Sequence, residues 1–148
     1  IEQAIQQLTF KSSLHRAQVN IVYTSAWLNQ MTAKTLKPFG LSLQQFNILR
    51  ILRGRAGKPA TITLLTERMF AKMSNASRLV DKLKEKELVD RQECPTDRRQ
   101  VDIVITRSGL DLIQRASDAV EGKRSNVFQR ISEDEAATLS ILLDKLRG

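Results

Sequence analysis

The chain has 148 residues, of which 24 are Lys or Arg and 16 are Asp or Glu, so its formal net charge is +8 at pH 7. With 41% hydrophobic residues it is long enough to bury a core of its own, and no continuous apolar run predicts a membrane span. One Cys and one His exclude an intrachain disulfide and a four-ligand zinc site. We expect a single basic domain over residues 1–148 without metal or cofactor, and, since the first residues lack a signal-peptide pattern, a cytoplasmic location.

The N-terminal segment is the longest predicted helix. Apolar residues recur at helical spacing from Ile1 to about Lys37, and no Gly or Pro occurs before Pro38. The pattern predicts one helix that is broken at most once. Between residues 21 and 31 the apolar positions cover more than one side of the helix, which is typical of a helix that packs against its own domain and against a partner chain.

Two shorter helices and a more polar one are predicted next. Ser42 and Gln45 have capping-box spacing and begin a helix that ends between residues 54 and 59. A short helix is expected over residues 64–69 and a further helix over residues 72–88. In the last of these an apolar stripe leaves polar and basic residues outside. The stripe is Ala76, Leu79, Val80 and Leu83; Ser74, Arg78 and Lys82 point outward, with Asn75 and Ser77 on the flanks.

A hairpin follows this helix directly. Residues 88–93 and 101–105 contain strand-forming residues, and the loop between them carries adjacent arginines. Two short helices followed by such a hairpin predict a winged helix-turn-helix with a two-stranded wing. Helices are again expected from Thr106 onward, the last one capped by Ser132 and Glu135. The predicted fold is therefore mainly α, with helical regions on both sides of the wing.

The basic residues are concentrated in the middle of the chain. Residues 50–107 carry 14 basic and 8 acidic side chains, whereas residues 108–148 carry 6 and 7. A basic centre favours a polyanionic partner such as nucleic acid. The same surplus can also serve solubility alone, so charge leaves both interpretations open.

From Leu41 to Gly109 the sequence resembles the MarR family of bacterial transcriptional regulators. The resemblance rests on the segments LSLQQFNILRIL, MSNASRLVDKLKEKELVDR and DRRQVDIVITRSG. It implies a winged helix-turn-helix over residues 41–106 between dimerisation regions at residues 1–40 and 107–148. It further implies a homodimer that binds a pseudopalindromic site on double-stranded DNA and represses nearby genes. Glu87 departs from the family, which commonly has Gly at the turn into the wing.

The DNA-binding residues expected from this comparison lie on the helix and on the wing. On the helix, Ser74, Asn75, Ser77 and Arg78 can meet base edges or phosphates, and Lys72 and Lys82 can hold phosphates; helix capping and solvation are the alternative. On the wing, the family pattern implies that Arg99 enters the minor groove, that Asp97 orients it, and that Arg98 contacts the backbone. A plain turn in which Asp97 bonds nearby amides is the alternative.

The resemblance also implies a small-molecule effector bound between the dimer helices and the winged domain. Tyr23, Trp27 and Met31 lie one helical turn apart and could line that cleft, or could be ordinary core or interface residues.

Cys94 is interpreted as an inert exposed thiol. No catalytic motif occurs, so we expect no enzyme. Two rival functions remain, a winged helix used for protein contact and a non-specific DNA-binding protein.

Overall fold

The computed structural model describes residues 1–69, 75–93 and 101–148. In these ranges the chain is mainly helical, as predicted. The helices are α1 (Glu2–Ile5), α2 (Ser13–Leu36), α3 (Leu43–Gly54), α4 (Ile62–Arg68), α5 (Ala76–Glu85), α6 (Arg107–Phe128) and α7 (Glu133–Arg147), with a short 3₁₀ turn at Lys37–Phe39. No helix in the described ranges is long and apolar enough to span a membrane.

The N-terminal helix is broken once, between α1 and α2. Gln6 follows α1 with a left-handed backbone, φ 54°. Helix α2 then restarts at Ser12, whose hydroxyl accepts a hydrogen bond from the backbone N–H of His15. At the other end of α2, Gly40 takes a left-handed φ of 64° after Pro38. Pro and Gly therefore end this helix where the sequence predicts, because neither continues an α-helix well.

Side-chain caps set the starts of the later helices. Both predicted capping boxes are confirmed, at Ser42 with Gln45 and at Ser132 with Glu135. In each, the serine hydroxyl accepts from the backbone of the third helical residue, whose own side chain accepts from the serine backbone. Thr106 caps α6 by accepting a hydrogen bond from the N–H of Gly109. These caps satisfy backbone donors that a helix start leaves unpaired.

Within the described residues an antiparallel sheet has the strand order β1–β3–β2. Strands β2 (Val89–Glu93) and β3 (Val101–Ile105) form the predicted hairpin, with Val89 opposite Ile105. Strand β1 (Ala60–Thr61) is an addition to the predicted two-stranded wing, and it pairs Ala60 with Ile103. Two residues directly after Pro59 carry no recognisable alternation, so the sequence does not predict this strand.

The core lies where α3, α4, α5, α6 and the sheet meet. Each contributes side chains that are fully buried: Leu49 and Leu52, Leu65, Val80 and Leu83, Ile113, Val89 and Ile103. The buried residues of α5 belong to the stripe predicted for that helix. The winged region and the first half of α6 therefore form one packed unit that fixes the position of α5 and of the hairpin.

The terminal helices leave apolar side chains in solvent in the single chain. Helix α7 has no buried residue, and the buried residues of α2 are Thr32 and Leu36. On these helices Leu14, Val22, Ile141, Leu142 and Leu146 are each at least 58% exposed, as is Leu8 between α1 and α2. Exposed apolar side chains of this size make the terminal helices candidates for an interaction surface.

Candidate nucleic-acid interface

Helix α5 presents a polar, basic surface on the side away from the core. Ala76, Val80 and Leu83 are buried, while Ser77, Arg78 and Lys82 are exposed, as the sequence predicts. Arg78 and Lys82 are four residues apart and therefore share one side of the helix. Among the described residues neither is in a salt bridge.

Asn75 caps this helix. Its Oδ1 accepts a hydrogen bond of 3.1 Å from the backbone N–H of Arg78. The capping role that the sequence left open as an alternative is therefore observed for Asn75. The cap occupies the side-chain oxygen, and the amide nitrogen of this exposed residue is left as the group that can meet a ligand.

An ion pair joins α5 to the first strand of the hairpin. Nη2 of Arg91 in β2 lies 2.5 Å from Oδ1 of Asp81, which is on the exposed side of α5. Sequence reasoning did not identify this pair. The presence of Asp81 between Arg78 and Lys82 could have indicated it. A carboxylate on a surface that is predicted to bind an anion is expected to have a cationic partner nearby.

The turn from α5 into β2 keeps a left-handed residue although no glycine is present. Glu87 has φ 59°, and its N–H donates to the carbonyl of Lys84 while that of Leu88 donates to Leu83. These two bonds form a Schellman motif. The hydroxyl of Thr106 donates to the Glu87 carbonyl at 2.8 Å, so the start of α6 holds the turn from outside.

A second contact joins the end of α5 to the segment after α2. Nζ of Lys86 donates to the carbonyl oxygen of Gly40 at 2.5 Å. The two residues are 46 positions apart in sequence, and Gly40 is the left-handed residue that ends the N-terminal helical region. This contact links the end of the N-terminal helical region to the C-terminal end of α5.

Several predicted site residues lie outside the described residues. On the helix these are Lys72 and Ser74, and in the wing loop they are Asp97, Arg98 and Arg99, together with Cys94. Strands β2 and β3 bracket that loop, since Glu93 and Val101 are paired in the register. The structure thus defines the base of the predicted wing, and the residue-level predictions for its loop stay predictions.

Two of the three predicted cleft residues line an open groove between α2 and α6. The groove has a volume of about 330 Å³ and is lined by Trp27, Gln30, Met31, Lys34, Thr35 and Lys123. Tyr23 is 40% exposed on the same helix and does not line it. An indole ring beside two ammonium groups can accommodate an aromatic molecule that carries negative charge.

No cluster of three His, Cys, Asp or Glu side chains in the described ranges could hold a metal ion.

Comparisons with known proteins agree with this geometry. Residues 39–100 match the family model described as MarR family. The HTH-type transcriptional regulator MhqR of Bacillus subtilis (strain 168) is 24% identical over 119 residues, which are 80% of this chain and 81% of MhqR.

Two solved structures share the fold. One is wild-type MarR from E. coli in its apo form, with a TM-score of 0.71, 23% identity and coverage of 87% of this chain and 95% of that one. The other is the organohalide-sensing regulator RdhR-CbdbA1625 in its 2,4-dichlorophenol-bound form, with a TM-score of 0.82, 22% identity and coverage of 95% and 85%. Over residues 39–100 the chain therefore matches the MarR family model, and both the sequence relative and the fold are similar to winged-helix transcriptional regulators.

Proposed function

We propose that this chain is a homodimeric, sequence-specific DNA-binding repressor. The observation that carries the proposal is the exposed surface of α5, where Arg78 and Lys82 have no acidic partner among the described residues, beside the antiparallel hairpin β2–β3. A winged helix binds DNA by inserting its second helix into the major groove while the wing reaches the adjacent backbone or minor groove. The arrangement of α5 and the hairpin suits that mode of binding.

The residues divide into groups that read bases and groups that hold the backbone. The planar guanidinium of Arg78 can bond guanine or a phosphate at two points, and Ser77 can donate to either. Lys82 is a flexible point charge and suits a phosphate. We extend these roles to Lys72 and Ser74 on the helix, and to Arg99 with Asp97 and Arg98 in the wing, as the sequence predicts.

The exposed apolar residues on the terminal helices support a second copy of the chain as partner. Leu139, Leu142 and Leu146 lie at helical spacing on α7 and are 46%, 58% and 68% exposed. Burying such a stripe against a partner's helices would remove it from water and would place two α5 helices in one particle. Two-fold symmetry in the protein then requires a pseudopalindromic DNA site.

The groove between α2 and α6 supports control by a small molecule. RdhR-CbdbA1625, which shares the fold, is described as organohalide-sensing and has been solved with 2,4-dichlorophenol. In this chain Trp27 and Met31 supply an apolar wall, and Lys34 and Lys123 supply positive charge. A ligand bound there would release DNA by favouring a spacing of the two α5 helices that does not match the site.

The test is selection of duplexes from a random pool at near-physiological salt with competitor DNA. We expect an inverted repeat with half-sites about one helical turn apart. Retention without a motif would contradict sequence specificity and favour the non-specific alternative. No retention would favour a winged helix used for protein contact.

A matched pair of variants assigns the result to α5. Arg78→Ala is expected to weaken binding to the selected duplex by about 1–3 kcal/mol, because it removes a base or phosphate contact. Arg115→Ala removes the same charge from an exposed position on α6 and should leave affinity unchanged.

Arg99→Ala tests the wing. It is expected to weaken binding by a similar amount, about 1–3 kcal/mol, while the dimer persists. Equal affinity of that variant and the parent would show that the wing assignment is wrong.

A further inference from the structure

A second basic surface lies on α3 and α4, on elements other than α5 and the hairpin. It is an open groove of about 410 Å³, lined by Asn47, Arg50, Ile51, Arg53, Gly54 and Arg68. The helix side that carries Asn47 and Gly54 is opposite the side that buries Ile48, Leu49 and Leu52. The groove therefore lies on the side of α3 that faces away from the core, to which α5 contributes Ala76, Val80 and Leu83.

Two of the three guanidinium groups are held in place by uncharged side chains. Nη1 of Arg53 donates to Oε1 of Gln114 on α6 at 3.2 Å. Gln114 is fixed in turn, since its Nε2 donates to Oδ1 of Asp118 at 2.8 Å. The guanidinium carbon of Arg50 lies 5.8 Å from the centre of the buried Phe46 ring, within cation–π range. These contacts orient the guanidinium groups and do not neutralise them.

The positive charge of the groove is uncompensated in the described chain. Among the described residues, no salt bridge involves Arg50, Arg53 or Arg68. Three like charges around one groove repel each other, and an anion placed between them relieves that repulsion. Because Arg50 and Arg53 are already oriented, these two side chains lose less conformational entropy when the anion binds.

We propose that this groove binds the phosphate group of a small phosphorylated molecule. A phosphate carries about 1.5 to 2 negative charges at neutral pH and three acceptor oxygens, which suits several guanidinium forks better than a single carboxylate does. Asn47 adds an amide donor at the rim. The groove lies on the side of α3 that faces away from the core. We therefore assign a free molecule, and not the DNA backbone, as the source of the phosphate.

Gly54 gives the proposal a sharp test. Gly54 lines the groove, and a Cβ built at this residue meets no atom within 4 Å, so the backbone has room for a side chain here. Gly54→Gln is therefore expected to block the groove while keeping the fold, and it also replaces glycine by a better helix former. Gly54→Ala adds one methyl group and is the matched control.

The experiment titrates inorganic phosphate into the full chain at constant ionic strength. It follows by NMR the backbone amide signals of Asn47 and Ile51, which line the groove and are unchanged in every variant. We expect saturable shifts in the parent. Phosphate binding should weaken at least about tenfold in Arg53→Gln, which removes a charged hydrogen-bond donor. It should weaken by as much in Gly54→Gln, which fills the space that the phosphate needs. Gly54→Ala and Arg115→Gln should stay within about twofold of the parent.

Two results would overturn the proposal. Shifts that do not saturate, or that weaken equally in Arg115→Gln, would mean a general ionic effect. A DNA duplex that shifts the same amides, and loses affinity in Arg53→Gln, would mean that the groove contacts the DNA backbone. Neither result affects the proposed DNA-binding function, because the duplex selection described above tests α5 and the wing and does not depend on this groove.

Discussion

The Asp81 carboxylate and the Arg91 guanidinium meet at 2.5 Å, so the exposed side of α5 is joined to the first strand of the hairpin. The two elements that would contact adjacent parts of a DNA site are thus joined by charge as well as by the turn through Glu87. On the proposed function, Asp81 pairs with an arginine that could otherwise attract phosphate at any sequence. We therefore expect the pair to affect specificity more than stability, because partly exposed ion pairs contribute little to folding.

The first prediction concerns Asp81→Asn. We expect the free energy of unfolding to change by less than about 1 kcal/mol, since the carboxylate is half exposed. Arg91 becomes free to bind any phosphate, so binding to scrambled duplexes should tighten and depend more steeply on salt. Affinities for selected and scrambled duplexes measured at two salt concentrations check this.

The control is Asp144→Asn, which removes the same charge from an exposed Asp–Arg pair on α7. It should leave both affinities unchanged. A specificity ratio that falls equally in both variants would mean that net charge matters and the position of Asp81 does not.

The second prediction uses the strained turn at Glu87. Glu87→Gly should raise the free energy of unfolding by about 1 kcal/mol, because a left-handed φ of 59° costs a residue with a Cβ and costs glycine nothing. Urea unfolding at one fixed protein concentration measures it. Glu85→Gly, in the last helical position of α5, should instead destabilise by about 1 kcal/mol. Two changes of the same sign would contradict the assignment of strain to Glu87.

The third prediction concerns the close approach of α6 to the same turn. A Cβ on Gly109 would lie 2.1 Å from the carbonyl oxygen of Leu88 and 2.8 Å from Cγ1 of Ile105. Gly109→Ala must therefore displace backbone, and we expect a loss of about 1–3 kcal/mol or more in unfolding free energy, measured by the same urea titration.

Gly122 provides the comparison for Gly109 within the same helix. A Cβ at Gly122 meets no atom within 4 Å, so Gly122→Ala should stabilise the chain by up to about 1 kcal/mol. Similar losses in the two variants would show that helix α6 tolerates no substitution and that the contact with Leu88 is not the cause.

Local signals in the sequence account for most of the fold. Both capping boxes act within four residues of chain, so Ser42 and Ser132 mark helix starts that the structure confirms. The stripe on α5 is equally local, and its members Val80 and Leu83 are buried. The turn at Glu87 is different, because the hydrogen bond that stabilises it comes from Thr106, 19 residues later in the chain. No local sequence pattern predicts that contact.

Features built from distant segments were not predictable in this way. Strand β1 depends on pairing with Ile103, 43 residues after Ala60, and its two residues have no pattern of their own. The ion pair of Asp81 and the arginine groove likewise join different elements. Arg50 and Arg53 can be placed near one another from their helical spacing, whereas the position of Arg68 beside them follows only from the packing of α4 on α3.

The fourth prediction tests the apolar stripe on α7 as a dimer interface. Leu142→Glu places a charge in the middle of the stripe, and burying that charge against a partner is costly. We expect the dimer dissociation constant to rise by at least about tenfold, as measured by sedimentation equilibrium, and affinity for the selected inverted repeat to fall with it. Ser140→Glu adds the same charge to an exposed position off the stripe and should leave the dimer intact. A Leu142→Glu chain that stays dimeric would contradict this assignment and favour an interface on the exposed apolar residues of α2, such as Val22.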